Sequence, residues 1–183
     1  VRNLLTTLRM QDDPIDLDRI EKLENHPHLR IKQEMLQLLF KFDRNRANRL
    51  LTKQLNSDDP KLYLHAVQLA EQSSDPAIAQ KLLNLLTAEK LTDDNLPLKK
   101  QIVKSLNGIG SEDALPTLEK LLKPGLLFTS KRKLELQKEI IRNLDKYPVQ
   151  KTNPLLQKLV RSRSKQLNGL AAEKLRQLLR KQT

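Results

Sequence analysis

Cysteine and tryptophan are absent from the 183-residue chain, and it carries only three Phe and two Tyr. Without Cys there is no disulfide framework, no thiolate metal site and no Cys nucleophile, which fits a reducing compartment. With so few aromatic rings the core has to be aliphatic, and platforms for stacking nucleobases are scarce. Glycine is also rare, with four in all. No Gly-rich phosphate loop exists, because Gly108-Ile109-Gly110 lacks both the preceding strand and the following Lys. No apolar run approaches the ~18–20 residues needed to cross a bilayer, and no secretory signal pattern opens the sequence. A cytoplasmic location is therefore expected. The sequence opens at Val1 inside an apparent helix, which implies a piece of a longer protein.

Acidic residues become scarce toward the C-terminus. Residues 1–95 hold 14 Lys/Arg and 15 Asp/Glu, whereas residues 96–183 hold 20 and 7, so the net charge of +12 comes from the second half. Such asymmetry bears on partners rather than on fold.

What the chain has in abundance is Leu, 40 residues of it, in a helix-forming composition with no clean period-two alternation. The apolar residues recur in a pattern: one, three spacers, two adjacent, two spacers, one. It runs through Ile31, Met35, Leu36, Leu39; Leu62, Ala66, Val67, Ala70; Leu98, Ile102, Val103, Leu106; Leu136, Ile140, Ile141, Leu144; and Leu167, Ala171, Ala172, Leu175. A truncated copy opens the chain at Leu4, Leu5 and Leu8. The period of 31 to 38 residues predicts an all-α solenoid in which each unit buries its apolar face against its neighbours.

Each unit resolves into an A helix carrying this pattern and a B helix with an apolar pair at i and i+3. The pairs are Leu17/Ile20, Ala47/Leu50, Ala79/Leu82, Leu118/Leu121 and Leu156/Leu159. Asp13-Pro14, Asp59-Pro60, Asp75-Pro76 and Asn153-Pro154 each read as an N-cap followed by Pro at the first helical position. Asn107-Gly108-Ile109-Gly110 reads as a C-cap. His26-Pro27 and Leu96-Pro97 mark further helix starts. The expected helices span 2–11, 14–24, 27–42, 44–56, 60–72, 76–88, 97–108, 112–123, 131–146, 153–162 and 165–181, in a single repeat domain over 1–183.

The segment Leu106-Asn107-Gly108-Ile109-Gly110-Ser111-Glu112-Asp113-Ala114-Leu115-Pro116-Thr117-Leu118 resembles a HEAT repeat of the bacterial, phycobilisome-lyase-like type, with its Leu-Gly-x-Ile-Gly turn and Ala-x-Pro-x-Leu helix start. Elsewhere Phe40-Lys41-Phe42 and Ser73-Ser74 replace the glycine turn. The resemblance implies a right-handed solenoid of about five helical hairpins plus a terminal helix, with the B helices on the concave side. It also implies an Asp in each turn and a base six residues later. Asp13 and Arg19, Asp43 and Arg49, and Asp75 and Lys81 fit; Asp113 and Lys120 are seven apart, and Thr152 stands where the acid preceding Lys158 belongs. The first three bases read as a structural ladder. Lys120 and Lys158, short of their acids, are equally open to a ligand.

Basic residues also gather toward the C-terminus: Lys131, Arg132 and Lys133; then Lys151, Lys158, Arg161, Arg163 and Lys165; then Lys174, Arg176, Arg180 and Lys181. This set reads as a solvated face, as a surface for an acidic protein or peptide, or as a nucleic-acid backbone site. HEAT-like DNA glycosylases hold DNA on such a solenoid, but that resemblance implies a pocket with Trp and a catalytic Asp, and no aromatic residue lies among these bases. The apolar loop Gly125-Leu126-Leu127-Phe128 is expected to cover a repeat junction.

Catalytic and metal constellations are weak. His26 and His28 flank Pro27 with no third ligand close by, and Zn needs three or four protein ligands. The pairs Asp12-Asp13, Asp58-Asp59 and Asp93-Asp94 fall in turns, where capping accounts for them. The sequence therefore predicts a non-catalytic scaffold module without cofactor, metal or small-molecule substrate. Its expected partner is an acidic protein or peptide, held by Lys120, Lys131, Arg132, Lys133, Lys151, Lys158, Arg161, Arg163 and Lys165. Sequence-nonspecific binding of a nucleic-acid backbone is the alternative.

Overall fold

The computed structural model describes residues 1–12, 15–123, 130–162 and 164–180. Among these the only regular structure is helical. The chain forms two compact units, Val1–Ile78 and Ala79–Thr183.

In the first unit α1 (Arg2–Met10) packs on α3 (Leu29–Phe42), and α3 packs in turn on α4 (Arg44–Gln54) and α5 (Pro60–Leu69). The short α2 (Leu17–Glu21) continues as a 3-10 turn over Lys22–Asn25. Caps explain most starts. The Asp43 carboxylate accepts the Arg46 N–H at 3.0 Å, and Asp59 accepts the N–H groups of Lys61 and Leu62, with Pro60 as the first helical residue. Asp75 does the same for Ala77 at the start of α6 (Pro76–Ala88). Each such cap satisfies donors that the first helical turn leaves free and contributes ~1 kcal/mol. The expected start of the second helix at Pro14 is corrected: the helix opens at Leu17, because Asp16 rather than an earlier acid accepts the Arg19 N–H. Asp13 and Pro14 themselves lie outside the described residues.

In the second unit the A helices α7 (Leu96–Ile109), α9 (Lys131–Arg142) and α11 (Lys165–Arg180) pack side by side. The B helices are α8 (Leu115–Leu122) and α10 (Val149–Val160). The pattern residues Ile102, Val103, Leu106, Ile140, Ile141, Leu144 and Ala171 are fully buried, and burial of each large aliphatic chain contributes about 1.5–3 kcal/mol. Gly110 ends α7 in the left-handed region at φ 69°, as the turn requires. A Cβ there would sit 3.3 Å from the Lys146 carbonyl, so this turn is also closely packed. Asn107 Oδ1 accepts the Lys146 N–H across the same junction.

Helix α10 departs from expectation. Asn153-Pro154 does not start it. The helix opens at Val149 behind Pro148, and Pro154 sits inside it. Pro148 fixes the entry, while the proline inside removes a donor for the carbonyl of Gln150, an exposed residue on the solvent side. Asn153 Oδ1 caps nothing; it is buried without a partner.

A device absent from the sequence expectation joins successive hairpins in this unit. The residue just after the first apolar position of each A helix reaches back to the carbonyls that end the preceding B helix. Lys99 Nζ donates to Leu86 O at 2.7 Å and Glu89 O at 2.8 Å. Gln137 Nε2 donates to Leu121 O and Lys123 O at 3.0 and 3.2 Å, and Asn168 Nδ2 donates to Val160 O. The last carbonyls of a helix have no internal partner, so a side chain from the next hairpin supplies one. Lys99 is only 4% exposed, and burial pulls its ammonium below the usual lysine range.

Candidate interaction surface

At Asp43 the expected ladder meets a base other than Arg49. Asp43 pairs with Arg46, at 3.2 Å, and Arg46 also reaches Glu21 and Asp18 of the preceding hairpin. Contact with Asp18 raises its guanidinium further above the usual arginine range, and Glu21 and Asp43 add to that. Arg19 pairs with Asp16. Arg49 has no ion pair among the described residues and shares a shallow cleft with Asp75, Asn45, Asn48 and Thr52. The ladder between neighbours thus runs through Arg46, three residues ahead of the expected base. One turn earlier on the helix brings that side chain onto α2.

In the second unit the two bases of α10 meet acids of α8 and of the 3-10 turn (Glu112–Ala114) that leads into it. Lys151 pairs with Glu112, and Lys158 with Glu119 at 3.2 Å. Both pairs span 39 residues, and 7 residues separate their members along each helix, so they form two rungs about 10 Å apart across the gap between the B helices. Thr152, in the place of an acid, is fully buried and turns its hydroxyl back on Pro148 O and Val149 O. Lys158 therefore has an acid after all, supplied from the neighbouring helix. Its side chain is 76% exposed, and an ion pair that open contributes only ~0.2–1 kcal/mol.

Between the rungs runs a groove. Its first section is lined by Leu115, Pro116 and Leu155 with Glu112, Glu119 and Lys151; its second, of about 340 Å³, by Leu122, Leu155 and Leu159 with Lys123, Lys158 and Ser162. The shared Leu155 and Glu119 make the sections continuous. The Ser162 Oγ is buried, with no hydrogen-bond partner among the described residues. Gln137 holds the end of α8 from behind, which fixes that wall.

The remaining candidate bases are spread over three other places. Lys131, Arg132 and Lys133 open α9, where the Ser130 hydroxyl accepts the Lys133 N–H, and Arg132 pairs with Asp93 at 3.4 Å. Arg161 follows α10 and Lys165 opens α11, both exposed. Among the described residues Lys120, Lys131, Lys133, Arg161 and Lys165 make no ion pair. Arg163, Lys181 and the loop Gly125 to Phe128 lie outside the described residues. Lys174 leaves the surface set altogether: it is 6% exposed and bonded to Asp145 at 2.8 Å. Its spacing from Ala171, at i+3, places it on the packed face, a signal the sequence does carry. Lys123 was missed because it stands outside the basic runs, and Ser162, between Arg161 and Arg163, because it carries no charge.

Elsewhere, the His26 and His28 rings lie 5.3 Å apart, and His26 Nδ1 accepts the His28 N–H. No group of three or more His, Asp or Glu that could hold a metal ion occurs among the described residues. Among them no helix is long and apolar enough to cross a membrane.

The sequence pattern of HEAT repeats matches residues 48–125, from within α4 through the end of α8. Residues 48–125 are HEAT-like helical repeats, and the helical hairpins on either side carry the same apolar pattern. The chain's all-α fold belongs to the solenoid class, and HEAT repeats in general serve as protein-interaction scaffolds. No curated protein matches the chain. Solved structures similar to it include two engineered proteins from the Northeast Structural Genomics Consortium. One shares 17% identity at a TM-score of 0.46, over 90% of this chain and 47% of its own length. The other shares 18% at a TM-score of 0.48, over 98% of this chain and 88% of its own. The HEAT-like chain thus spans about half the length of the first.

Proposed function

We propose that this HEAT-like protein is a non-catalytic interaction module whose B-helix surface, basic in its C-terminal half, binds an acidic protein or peptide. The single repeat domain over 1–183 belongs to the same proposal. The observation that carries the reading is the groove between α8 and α10. An aliphatic floor edged by cations in excess of acids suits an amphipathic acidic chain, which gains both apolar burial and electrostatic steering.

Binding to a nucleic-acid backbone is the second reading, favoured by the five cations without acids named above. Against it, the groove floor holds no aromatic side chain among the described residues on which bases could stack. Fluorescence anisotropy separates the two. A labelled duplex and a labelled acidic amphipathic peptide are titrated at about 50 and 200 mM salt. The proposed function expects saturable peptide binding and little response to duplex. Duplex binding that falls by orders of magnitude across that salt range, with no peptide binding, would replace it with the polyanion reading.

A further inference from the structure

Resting on the interaction-module reading, we infer that the second section of the α8–α10 groove is the recognition site. Its occupant is a peptide segment with an aliphatic side chain beside a carboxylate. The argument is one of residual chemistry. Leu122, Leu155 and Leu159, between 2% and 9% exposed, form a floor that only an apolar group covers without loss. The acids at the groove are already spent, Glu112 on Lys151 and Glu119 on Lys158. Among the described residues Lys123 has no ion pair, and it lines the same end as the partnerless Ser162 hydroxyl. An ammonium at one end of an aliphatic trough asks for an anionic acceptor there. A carboxylate one residue from the aliphatic chain supplies it. A phosphodiester backbone would meet the Lys but leave the trough empty.

The groove walls are set before any ligand arrives. Gln137 ties the end of α8, and Asn168 ties the end of α10 through the Val160 carbonyl. A preformed cleft saves the cost of ordering its own side chains on binding.

The test uses the full chain and a fluorescein-labelled peptide of sequence LEELLEDL. Two control peptides replace its leucines by serine or its acids by glutamine. The expected result is saturable binding of the first peptide, weakened at least tenfold in each control. Ser162→Trp, which fills the section from its edge, and Lys123→Glu, on the surface, should each weaken binding at least tenfold. Circular dichroism should show both variants folded as the parent. The double change Lys131→Glu with Lys133→Glu, on α9, should weaken it less than threefold. On a methyl-labelled sample the Leu122, Leu155 and Leu159 signals should move with the peptide. If the peptide binds but both groove variants bind equally well, the site assignment is wrong and the interaction module stands. If no peptide binds the parent chain at 50 mM salt, the site is wrong, and the duplex titration decides whether the wider reading falls with it.

Discussion

His65 on α5 is half-buried, and its Nδ1 is enclosed without a partner. Burial disfavours the charged imidazolium and lowers its pKa from 6.5, outweighing the opposing pull of Glu34. Arg9 and Arg2 of α1 already pair with that carboxylate, at 3.7 and 4.0 Å. The unfolded chain therefore takes up a proton at His65 before the folded one does. Stability is held above pH 6.5, falls as pH drops through it, and levels off below the folded-state value. Urea midpoints measured from pH 7.5 to 5 should decline in the parent, and His65→Gln should remove part of that decline. An unchanged slope would show that His65 is not a source of the acid sensitivity. Gly110 gives a second residue-scale test. Gly110→Ala puts a side chain at φ 69° and against the Lys146 carbonyl, and should cost about 1–2 kcal/mol in urea denaturation.

At the scale of elements, the reach-back contacts make each B-helix end dependent on the next A helix. Lys99→Met keeps the stem packed but leaves the Leu86 and Glu89 carbonyls without their donor. The expected cost is ~1–3 kcal/mol per buried acceptor, read as a lower denaturant midpoint. Amide hydrogen exchange should quicken first in the last turn of α6. Gln137→Leu should do the same at the end of α8, and an even loss over the whole unit in either variant would argue against a local cap. Much of this fold was legible beforehand. The A-helix pattern gave the buried positions from Met35 to Ile141 because packing repeats with the helix period, and Asp59 and Asp75 gave helix starts because capping is local. Lys99 was not legible from its own neighbourhood, where it reads as a solvated base beside Lys100. It becomes visible only when the repeats are aligned, with Gln137 and Asn168 in the same register position. At Asp43 the pairing base differs from the expected one for a related reason. Which base faces a neighbouring acid depends on how one helix is rotated against the next, and that is not a sequence-local quantity: Arg46 rather than Arg49 faces α2. Pro154 misled because Pro is compatible with a helix start, but Pro148 six residues earlier had already provided one. Of the proposed binding surface, Lys151 and Lys158 were legible as charges; the facing acids, Glu112 and Glu119, and the trough beside them required the packed structure.

For the molecule as a whole, the two units differ in charge. Residues 1–78 carry 12 Lys/Arg and 12 Asp/Glu, while residues 79–183 carry 22 and 10, so the net +12 belongs to the second unit. Charge spread over a surface and contacts at the centre of a groove act on different steps of binding. The first draws an acidic partner inward over distances near the screening length, about 10 Å at 0.1 M salt; the second holds it once docked. Lys120, Lys131, Lys133, Arg161 and Lys165 belong to the first kind, Ser162 and Lys123 to the second. Stopped-flow measurement with the LEELLEDL peptide should therefore split the variants. Lys131→Glu with Lys133→Glu should leave the off-rate within twofold, lower the on-rate slightly, and flatten its dependence on salt. Ser162→Trp should raise the off-rate about tenfold or more and leave the salt dependence of association as in the parent. If instead the two α9 changes raise the off-rate as much as the groove change does, the peptide sits on the charged surface. The cations would then be the binding site itself rather than the field that feeds it.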